Sequence, residues 1–414
     1  MRLWGVAAMA LLAGAGAGAA EAQGQAPIRV GFAISETGPS AGVGKQYTVT
    51  AQIWANDVNE KGGLLGRKVE IVHYDDQSNP ALDPGIYTKL LDVDKVDLLT
   101  GSGTNYSSAA MPVIIQHNAL LLDTLALAVN DEFHYPRFFQ TMPYGPNGKE
   151  AMSEGYFAAA MSMNPKPQTV ALTGADAEFA KNAIEGAKHW IEKYGLKIVY
   201  DRVYPPNQID FSPVIQSIKA ANADLVYLAA YPGDSAGFLR GVEEQGLTAK
   251  MFGGAIVGPQ LGTIKAQMGE HLNGLVDYEL FVHEKTMEFP GIDEFIGKYR
   301  AKAAEAGTDP LGFYVPPLVY ATFQVLEQAV EGTKSLDSDT LAKYIHATNF
   351  KTVYGDIAFG ADGEWRKARI LTVQYQGVKG HDLGQFEEPG ETPILDPPDF
   401  KTGTLQYPYN SAGK

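Results

Sequence analysis

The 414-residue chain contains no cysteine. This absence excludes disulfides, thiolate metal sites and a lipid anchor carried on a cysteine after the leader. Histidine is scarce as well, with eight scattered residues, and no H-E-x-x-H pattern of zinc hydrolases occurs. His73, His117 and His189 lie within apolar strand or helix patterns, where an ordinary structural histidine is commoner than a catalyst. We therefore expect no enzyme, no metal and no cofactor.

Long apolar runs are also missing beyond the N-terminus, so no direct membrane insertion is expected and the mature chain should be soluble. Residues 1–22 carry one cation, Arg2, then a run rich in alanine, leucine and glycine that ends in Ala20-Glu21-Ala22. This is the pattern of a secretory signal peptide cleaved near Ala22. An exported chain without disulfides fits the periplasm of a Gram-negative bacterium.

Positive charge is in deficit, with 33 lysines and arginines against 48 acidic residues and a net charge of −15. Loss of the leader removes one charge of each sign, so the mature chain keeps this value. Such a charge disfavours nucleic acid and anionic membranes as partners. About 390 mature residues exceed a comfortable single core, which predicts two domains.

Apolar runs alternate with helical patterns over most of the chain, which predicts an α/β fold with parallel-rich sheets. A first series of strands and helices spans 28–141, including helices near 46–59 and 107–118. A second series spans 147–278, including a helix over 178–194 and a strand over 197–204. Residues 291–346 read as helical, 351–359 and 368–375 as strands around the turn 360–363, and 388–414 as an extended tail.

Two loop sequences resemble known ion or nucleotide sites and fail on inspection. Gly38 to Lys45, GPSAGVGK, departs from the P-loop pattern at Pro39 and at Gln46, which stands where Ser or Thr must hold magnesium. The Asp75-Asp76 loop has Pro80 in the place of the glycine that a calcium loop requires. We expect capping and turn roles for the latter, while the former offers backbone amides to a bound group.

Polar or aromatic residues follow several predicted strands. The run Gly101 to Ser108 lies between a strand and a helix, and it could bind an anion such as a carboxylate or simply cap the helix. Tyr231 to Asp234 and Gly254 to Gly258 hold the same position in the second series. Since open parallel sheets bind ligands at their carboxyl edge, these loops could face a cleft.

With these motifs the chain resembles the periplasmic solute-binding proteins of the branched-chain amino-acid type, which serve ABC importers. The resemblance covers nearly the whole mature chain. It rests on I-R-V-G at 28–31, T-G-P at 37–39, K-G-G-x-x-G-R-K at 61–68, Y-D-D-x-x-x-P at 74–80, the loop 105–108, A-D-L-V-Y at 223–227 and the helical stretch 312–329.

The resemblance implies a type I periplasmic-binding-protein clamshell of two Rossmann-like lobes joined by a three-strand hinge. Lobe I would comprise 27–143 and 280–351, and lobe II 144–279 and 352–387, with crossings near Tyr144, Asp277 and Thr352. A ligand between the lobes would favour closure, which a membrane permease recognises. No covalent chemistry is implied.

Binding residues carry over from the family by position. Residues that match the ligand-binding loops are Asn105, Tyr106, Ser107, Ser108, Leu127, Phe179, Tyr231 and Ala255, and Val43 lies on the wall formed by Gly38 to Lys45. In amino-acid binders an acidic residue pairs with the ammonium group, and Ala255 stands in its place. Nearby acids that could substitute are Asp176, Glu178, Asp234 and Glu279.

A buried ammonium group without a counter-charge would cost several kcal/mol. The sequence thus favours the substrate-binding component of an ABC importer for a small carboxylate that lacks an amino group, with an aromatic ligand suggested by Tyr106, Phe179 and Tyr231. Three alternatives stay open: a binder of branched-chain or other hydrophobic amino acids, a secreted enzyme, and a ligand sensor coupled to a receptor.

Overall fold

A computed structural model describes residues 26–206 and 208–410. The predicted leader lies outside this part of the chain. Within it, no helix is both long and apolar enough to span a bilayer.

The first third of the chain alternates strands and helices and builds a five-stranded parallel sheet. Its strand order is β2-β1-β3-β4-β5. The elements are β1 (Ile28–Ile34), α1 (Ala41–Glu60), β2 (Val69–Asp75), α2 (Asp83–Asp92), β3 (Leu98–Gly101), α3 (Thr104–Gln116), β4 (Leu121–Asp123), α4 (Asn130–Phe133) and β5 (Phe138–Gln140).

The second third repeats this alternation and supplies most of a seven-stranded sheet, with the order β15-β14-β11-β10-β8-β6-β7. Its elements are α5 (Gly148–Met161), β6 (Thr169–Ala175), α6 (Glu178–Tyr194), β7 (Lys197–Tyr204), α7 (Ser212–Ala221), β8 (Leu225–Ala230), α8 (Pro232–Gln245), β9 (Thr248–Ala249), β10 (Met251–Ile256), α9 (Gly262–Met268) and β11 (Val276–Glu279). Strands β6, β7, β8, β10 and β11 run parallel.

The last third begins with three helices that return to the first sheet. Helices α10 and α11 pack on α1, and the ring of Phe323 stacks on Trp54 with centroids 4.7 Å apart. The elements of this part are α10 (Ile292–Ala306), α11 (Pro316–Thr333), α12 (Ser338–Ala347), β12 (Asn349–Thr352), β13 (Gly355–Ala358), β14 (Leu371–Gln374), β15 (Ile394–Asp396) and β16 (Tyr409–Asn410).

Short 3-10 turns lie at Pro80–Leu82, Gly269–Leu272, Lys285–Met287, Leu383–Glu387 and Pro398–Phe400. The stretch from 388 onward runs along the second sheet. Strand β15 pairs antiparallel with β14, and β16 pairs with β9. The terminal segment therefore forms the edge of this sheet.

The predicted elements agree with the structure best where the apolar pattern is strongest. Helix α6 and strand β7 have the predicted bounds. Two helices whose N-termini lie at the carboxyl edge of the first sheet begin earlier than predicted, α1 at Ala41 and α3 at Thr104. Polar and glycine-rich residues at these starts hide the helical period, and the early starts bring Thr104, Asn105 and Tyr106 into a first helical turn.

The prediction of one continuous strand over 351–359 is wrong, whereas the strand predicted over 368–375 is present as β14, and Phe359 pairs antiparallel with Trp365 across the predicted turn 360–363. Residues 349–358 form a local antiparallel hairpin, β12 with β13, that packs against α11. Strand β14 instead pairs antiparallel with β11 in the large sheet. The turn at Val353-Tyr354 splits the predicted first strand, and the crossing expected near Thr352 falls later, within 359–370.

Three connections link the two sheets, at 141–147, 280–291 and 359–370. The first and third run side by side: the Gln140 N–H donates to the carbonyl of Gly363 over 3.1 Å, and the Arg369 N–H donates to the carbonyl of Pro143 over 2.8 Å. The buried Gln140 amide also donates to the carboxylate of Glu364. These bonds place the crossing strands next to the cleft between the sheets.

Candidate functional site

A cavity of about 90 Å³ lies between the carboxyl edges of the two sheets. Loops after β1, β3, β4, β6, β8 and β10 all reach it, as parallel topology requires. It is lined by Ile34, Ser35, Ser40, Val43, Gly44, Ser102, Gly103, Thr104, Asn105, Tyr106, Leu125, Met142, Tyr144, Phe179, Tyr231, Pro232, Val257, Tyr278 and Tyr314. A wider outer cavity of about 660 Å³ shares Ser40, Asn105, Tyr106, Tyr231 and Pro232 with it.

The lining of the inner cavity is neutral. It includes six aromatic side chains and several hydroxyls, and none of the lining residues is an acid, lysine, arginine or histidine. Burial raises the pKa of all five lining tyrosines, so their hydroxyls stay protonated at neutral pH. The cavity therefore offers rings and neutral hydrogen-bonding groups but no formal charge.

Three of the predicted residues join across the cleft. The Tyr231 hydroxyl donates to Oδ1 of Asn105 over 3.0 Å. The backbone N–H of Phe179 donates to the Tyr231 oxygen over 3.1 Å and to Asn105 over 3.3 Å. The rings of Phe179 and Tyr231 meet edge to face, with centroids 5.7 Å apart. These residues close one wall of the cavity.

Tyr106 and Ser40 form the wall beside α1. Their hydroxyl oxygens are 3.1 Å apart, and Val43 lies one turn further along the same helix. Behind them, the Ser35 hydroxyl donates to the buried carboxylate of Asp76. The neighbouring Asp75 accepts hydrogen bonds from the loop after β1, which confirms the turn role predicted for this acidic pair.

Ser40 lies at the centre of the sequence Gly38-Pro39-Ser40-Ala41-Gly42, which fits the G-x-S-x-G pattern of serine hydrolases. A serine nucleophile needs an adjacent base to remove its proton. The polar partner of Ser40 Oγ is the neutral Tyr106 hydroxyl, and the cavity lining contains no histidine. This geometry gives Ser40 no activating base.

Tyr144, Tyr278 and Tyr314 line the inner end of the cavity, and the sequence patterns gave none of them a ligand role. The hydroxyl oxygens of Tyr278 and Tyr314 are 2.7 Å apart. Tyr144 follows β5 and Tyr278 lies in β11, so the carboxyl-edge rule could have found both. Tyr314 precedes α11 and has no local signal, since only packing brings it to Tyr278.

Four predicted residues lie outside the cavity lining. The Ser107 hydroxyl donates to buried Asp123, and Ser108 is hydrogen-bonded to Glu178. Leu127 bonds through its backbone, with its N–H donating to Thr104 Oγ1 over 3.0 Å, while Leu125 from the same loop lines the cavity. Ala255 is buried within β10, and Val257 two residues later is the lining residue.

The acids proposed as substitutes for the missing counter-charge are engaged elsewhere. Asp176 pairs with Lys181, and Glu279 pairs with Lys265 in the interior. Asp234 accepts hydrogen bonds from the Tyr204 hydroxyl and the Tyr231 N–H, as the acid of a helix capping box. None of these side chains lines the inner cavity.

The family model described as "Periplasmic binding protein" matches residues 27–377. The Leu/Ile/Val-binding protein homolog 7 of Brucella abortus is 25% identical over 368 residues, covering 86% of this chain and 90% of that protein. Among solved structures, the substrate-binding protein LivJ of Streptococcus pneumoniae, in complex with isoleucine, gives a TM-score of 0.71 at 20% identity and covers 85% of this chain and 97% of its own.

A solute-binding protein of an ABC transporter from Rhodopseudomonas palustris HaA2, in complex with p-hydroxybenzoic acid, gives a TM-score of 0.72 at 20% identity. The match covers 91% of this chain and 99% of that one. At such identities the structural matches show the fold. They confirm the predicted type I periplasmic-binding-protein clamshell, and the family model confirms the family resemblance.

Proposed function

Because the chain belongs to the periplasmic binding protein family, we propose that it is the substrate-binding component of an ABC importer for a small aromatic carboxylate. The observation that carries the choice of ligand is the neutral, aromatic lining of the inner cavity. A ring packs favourably against Phe179 and the tyrosines. An α-ammonium group would lie there without a carboxylate partner, which is costly in a closed cleft.

The carboxylate is proposed to lie at the first turn of α3. Ser102, Thr104 and Asn105 line the cavity at this point, and the first backbone N–H groups of a helix are free to donate to an anion. Thr104 Oγ1 already accepts from Leu127, so its own proton is available to donate. The ring would then extend towards Tyr278 and Tyr314. An apolar cavity of ~150 Å³ holds benzene, so the cavity of about 90 Å³ would have to widen, by a shift of the lobes or of its lining side chains, to admit one ring.

Two lobes closing over the ligand would present the closed form to a permease. We assign 27–143 and 280–351 to lobe I, together with the rest of the hairpin up to 358, because that hairpin packs on α11. Lobe II takes 144–279 and the residues from 371 onward, which join the second sheet. Family membership and the leader pattern of residues 1–22 support a periplasmic location, and N-terminal sequencing of the exported protein should start near Gln23.

Binding of a hydrophobic amino acid is the second candidate, because the Brucella relative is named as a Leu/Ile/Val-binding homolog and LivJ is in complex with isoleucine. A thermal-shift panel decides between the two: benzoate, 4-hydroxybenzoate, benzyl alcohol, leucine, isoleucine and valine. At 100 times its dissociation constant a ligand adds about 2.7 kcal/mol of stability. We expect the two benzoates alone to stabilise. Stabilisation by leucine, isoleucine or valine and not by the benzoates would replace the aromatic proposal.

Two further measurements test the role in import. Recovery of the ligand unchanged and in stoichiometric amount after incubation is expected, whereas product formation would indicate an enzyme. Deletion of the gene should abolish uptake of the labelled ligand. A strain that still takes up the ligand but no longer responds to it would point to a sensor.

A further inference from the structure

A second cavity, of about 230 Å³, shares no lining residue with the ligand cavity and lies where the β12–β13 hairpin, the third connection and the terminal segment meet. The hairpin packs on α11 beside the first sheet. The terminal segment forms the edge of the second sheet. The cavity is lined by Asn349, Asp356, Ala358, Trp365, Arg366, Lys367, Ala368, Arg369, Pro397, Asp399 and Phe400.

Cations outnumber acids in this lining, in a chain that is strongly acidic overall. Both acids already have lysine partners, Asp356 with Lys351 and Asp399 with Lys367. The two arginines have no carboxylate within ion-pair distance among the residues that the structure describes. Arg366 donates to the carbonyls of Phe359 and His346, and Arg369 donates to the carbonyl of Tyr354.

Two buried donors at this cavity lack acceptors. Nε1 of Trp365 and Nε of Arg369 are both inaccessible and have no hydrogen-bond partner, and the Trp365 side chain is only 5% exposed. An unsatisfied buried donor costs about 1–3 kcal/mol. These two donors lie beside arginines that donate to carbonyls and have no ion-pair partner among the described residues.

Aromatic rings hold the Arg369 guanidinium in place. Its carbon lies 4.5 Å from the ring centroid of Tyr354, 4.8 Å from that of Trp365 and 4.9 Å from that of Phe289. Ring faces attract the cation but supply no hydrogen-bond acceptor in the guanidinium plane. The guanidinium is thus fixed in place, and the carboxylate of Asp356 acts on its charge from beyond ion-pair distance.

We propose that this cavity binds a small oxyanion, a carboxylate or a phosphate, at Arg366 and Arg369, and that the Trp365 side chain turns to bring its buried Nε1 to the anion. Oxygen-rich anions match such donors, because guanidinium groups bind carboxylate and phosphate in the same planar geometry. The anion would contact the hairpin, the third connection and the terminal segment at once. Its binding would stabilise the folded chain independently of the ligand cleft.

Thermal unfolding and titration calorimetry test this site with sodium phosphate and sodium acetate, each compared with sodium chloride at equal ionic strength. We expect phosphate, acetate or both to raise the Tm of the wild-type protein beyond chloride. The variants R366Q and W365F should weaken that binding about tenfold or more, because each removes a donor to a charged group. W365F also loses buried ring volume and is expected to be less stable in every salt, so its anion response is measured as the shift in Tm from its own value in chloride.

Two controls separate this site from other anion effects. K61Q removes an exposed lysine on the turn after α1 and should respond to the anions as the wild type does. Y231F alters the ligand cleft and should also keep the response, so a failed cleft proposal leaves this test intact. The inference is overturned by equal Tm values in all three salts, by wild-type affinity in R366Q and W365F, or by loss of the response in Y231F.

Discussion

The Tyr231 hydroxyl donates to Oδ1 of Asn105 over 3.0 Å and thereby joins the loop after β8 to the first turn of α3. The two residues are 126 positions apart and belong to different sheets. The Phe179 N–H, at the start of α6, donates to the same two oxygen atoms. This group of three residues connects the lobes at the cavity wall, so its strength bears on how firmly the cleft stays closed.

Replacing Tyr231 with phenylalanine should weaken ligand binding about tenfold. The variant keeps the ring but removes the donor to Asn105, and a lost hydrogen bond with a buried partner costs about 1–3 kcal/mol. Calorimetric titration with the ligand found in the panel measures the effect. Tyr200→Phe, on the outer strand β7, is the matched control and should bind as the wild type does. Equal affinities for both variants would contradict a role in closure.

Gly44→Ala should destabilise the protein by roughly 1–3 kcal/mol or more. A Cβ at Gly44 would lie 1.8 Å from the carbonyl oxygen of Ser35, so α1 would have to move away from the end of β1. Both residues line the cavity, and ligand affinity should fall as well. Urea unfolding measures the stability.

The matched control for Gly44 is Gly85→Ala in α2, where a Cβ would meet nothing within 4 Å. This change should stabilise by about 0.5–1 kcal/mol, because alanine favours the helix over glycine. If the two glycine variants had the same stability, close packing at Gly44 would not be the cause.

Asp83 should make the protein less stable as the pH rises. Burial, and then the charge of Asp76, raise its pKa to about 8, and neither carboxyl oxygen has a hydrogen-bond partner. The folded state therefore holds a proton that the unfolded state releases above its ordinary pKa of 3.8. The contribution of Asp83 to the free energy of unfolding is fully present below pH 3.8 and is lost as the pH rises towards 8.

Asp83→Asn removes this titration while keeping the shape of the neutral acid. Urea unfolding at several pH values between 5 and 8 should show wild-type stability falling relative to the variant by up to about 1.4 kcal/mol per pH unit. Parallel stability curves for the two proteins would mean that Asp83 is charged in the folded state.

Lys265→Met should destabilise the protein by roughly 3–5 kcal/mol. Lys265 Nζ lies 3.0 Å from Glu279 Oε1, with side chains only 3% and 1% exposed, and the variant leaves the carboxylate without its cation. The double variant K265M/E279Q removes both charges and should recover much of the loss. Denaturant unfolding of both provides the comparison.

An exposed pair offers the control for this buried one. Lys302 and Glu305 lie on the surface of α10, and Lys302→Met should change stability by less than about 1 kcal/mol. A Lys265 variant no less stable than the Lys302 variant would show that the buried pair contributes nothing.

Much of the fold could be predicted from the sequence because its signals are local. The apolar period of α6 and the alternation of elements along the chain are visible in short windows, and they fix the α/β class and the carboxyl-edge position of Tyr231 and Asn105. Helix starts were less accurate, since Ala41 and Thr104 begin helices in polar or glycine-rich sequence. The hairpin at 349–358 was missed because a two-residue turn interrupts what reads as one strand.

In the candidate site, too, some residues were predicted correctly and others were not. Asn105, Tyr106, Phe179 and Tyr231 were carried over from the family resemblance, and the structure places them on the cavity together with Val43 of α1. Ser107 was also predicted to bind the ligand but lies outside the lining, because its hydroxyl faces the buried carboxylate of Asp123 rather than the cavity. A side chain's direction depends on which element packs behind it, and that partner can lie anywhere in the chain.

By itself the sequence determined the order of elements and the family. Only the tertiary structure showed that Asp176, Glu279 and Asp234 are held by Lys181, Lys265 and Tyr204. It alone brought Tyr314 to Tyr278 at the inner end of the cavity. Local sequence fixes backbone conformation over a few residues, whereas the chemistry of a cleft depends on contacts between segments that are distant in the chain.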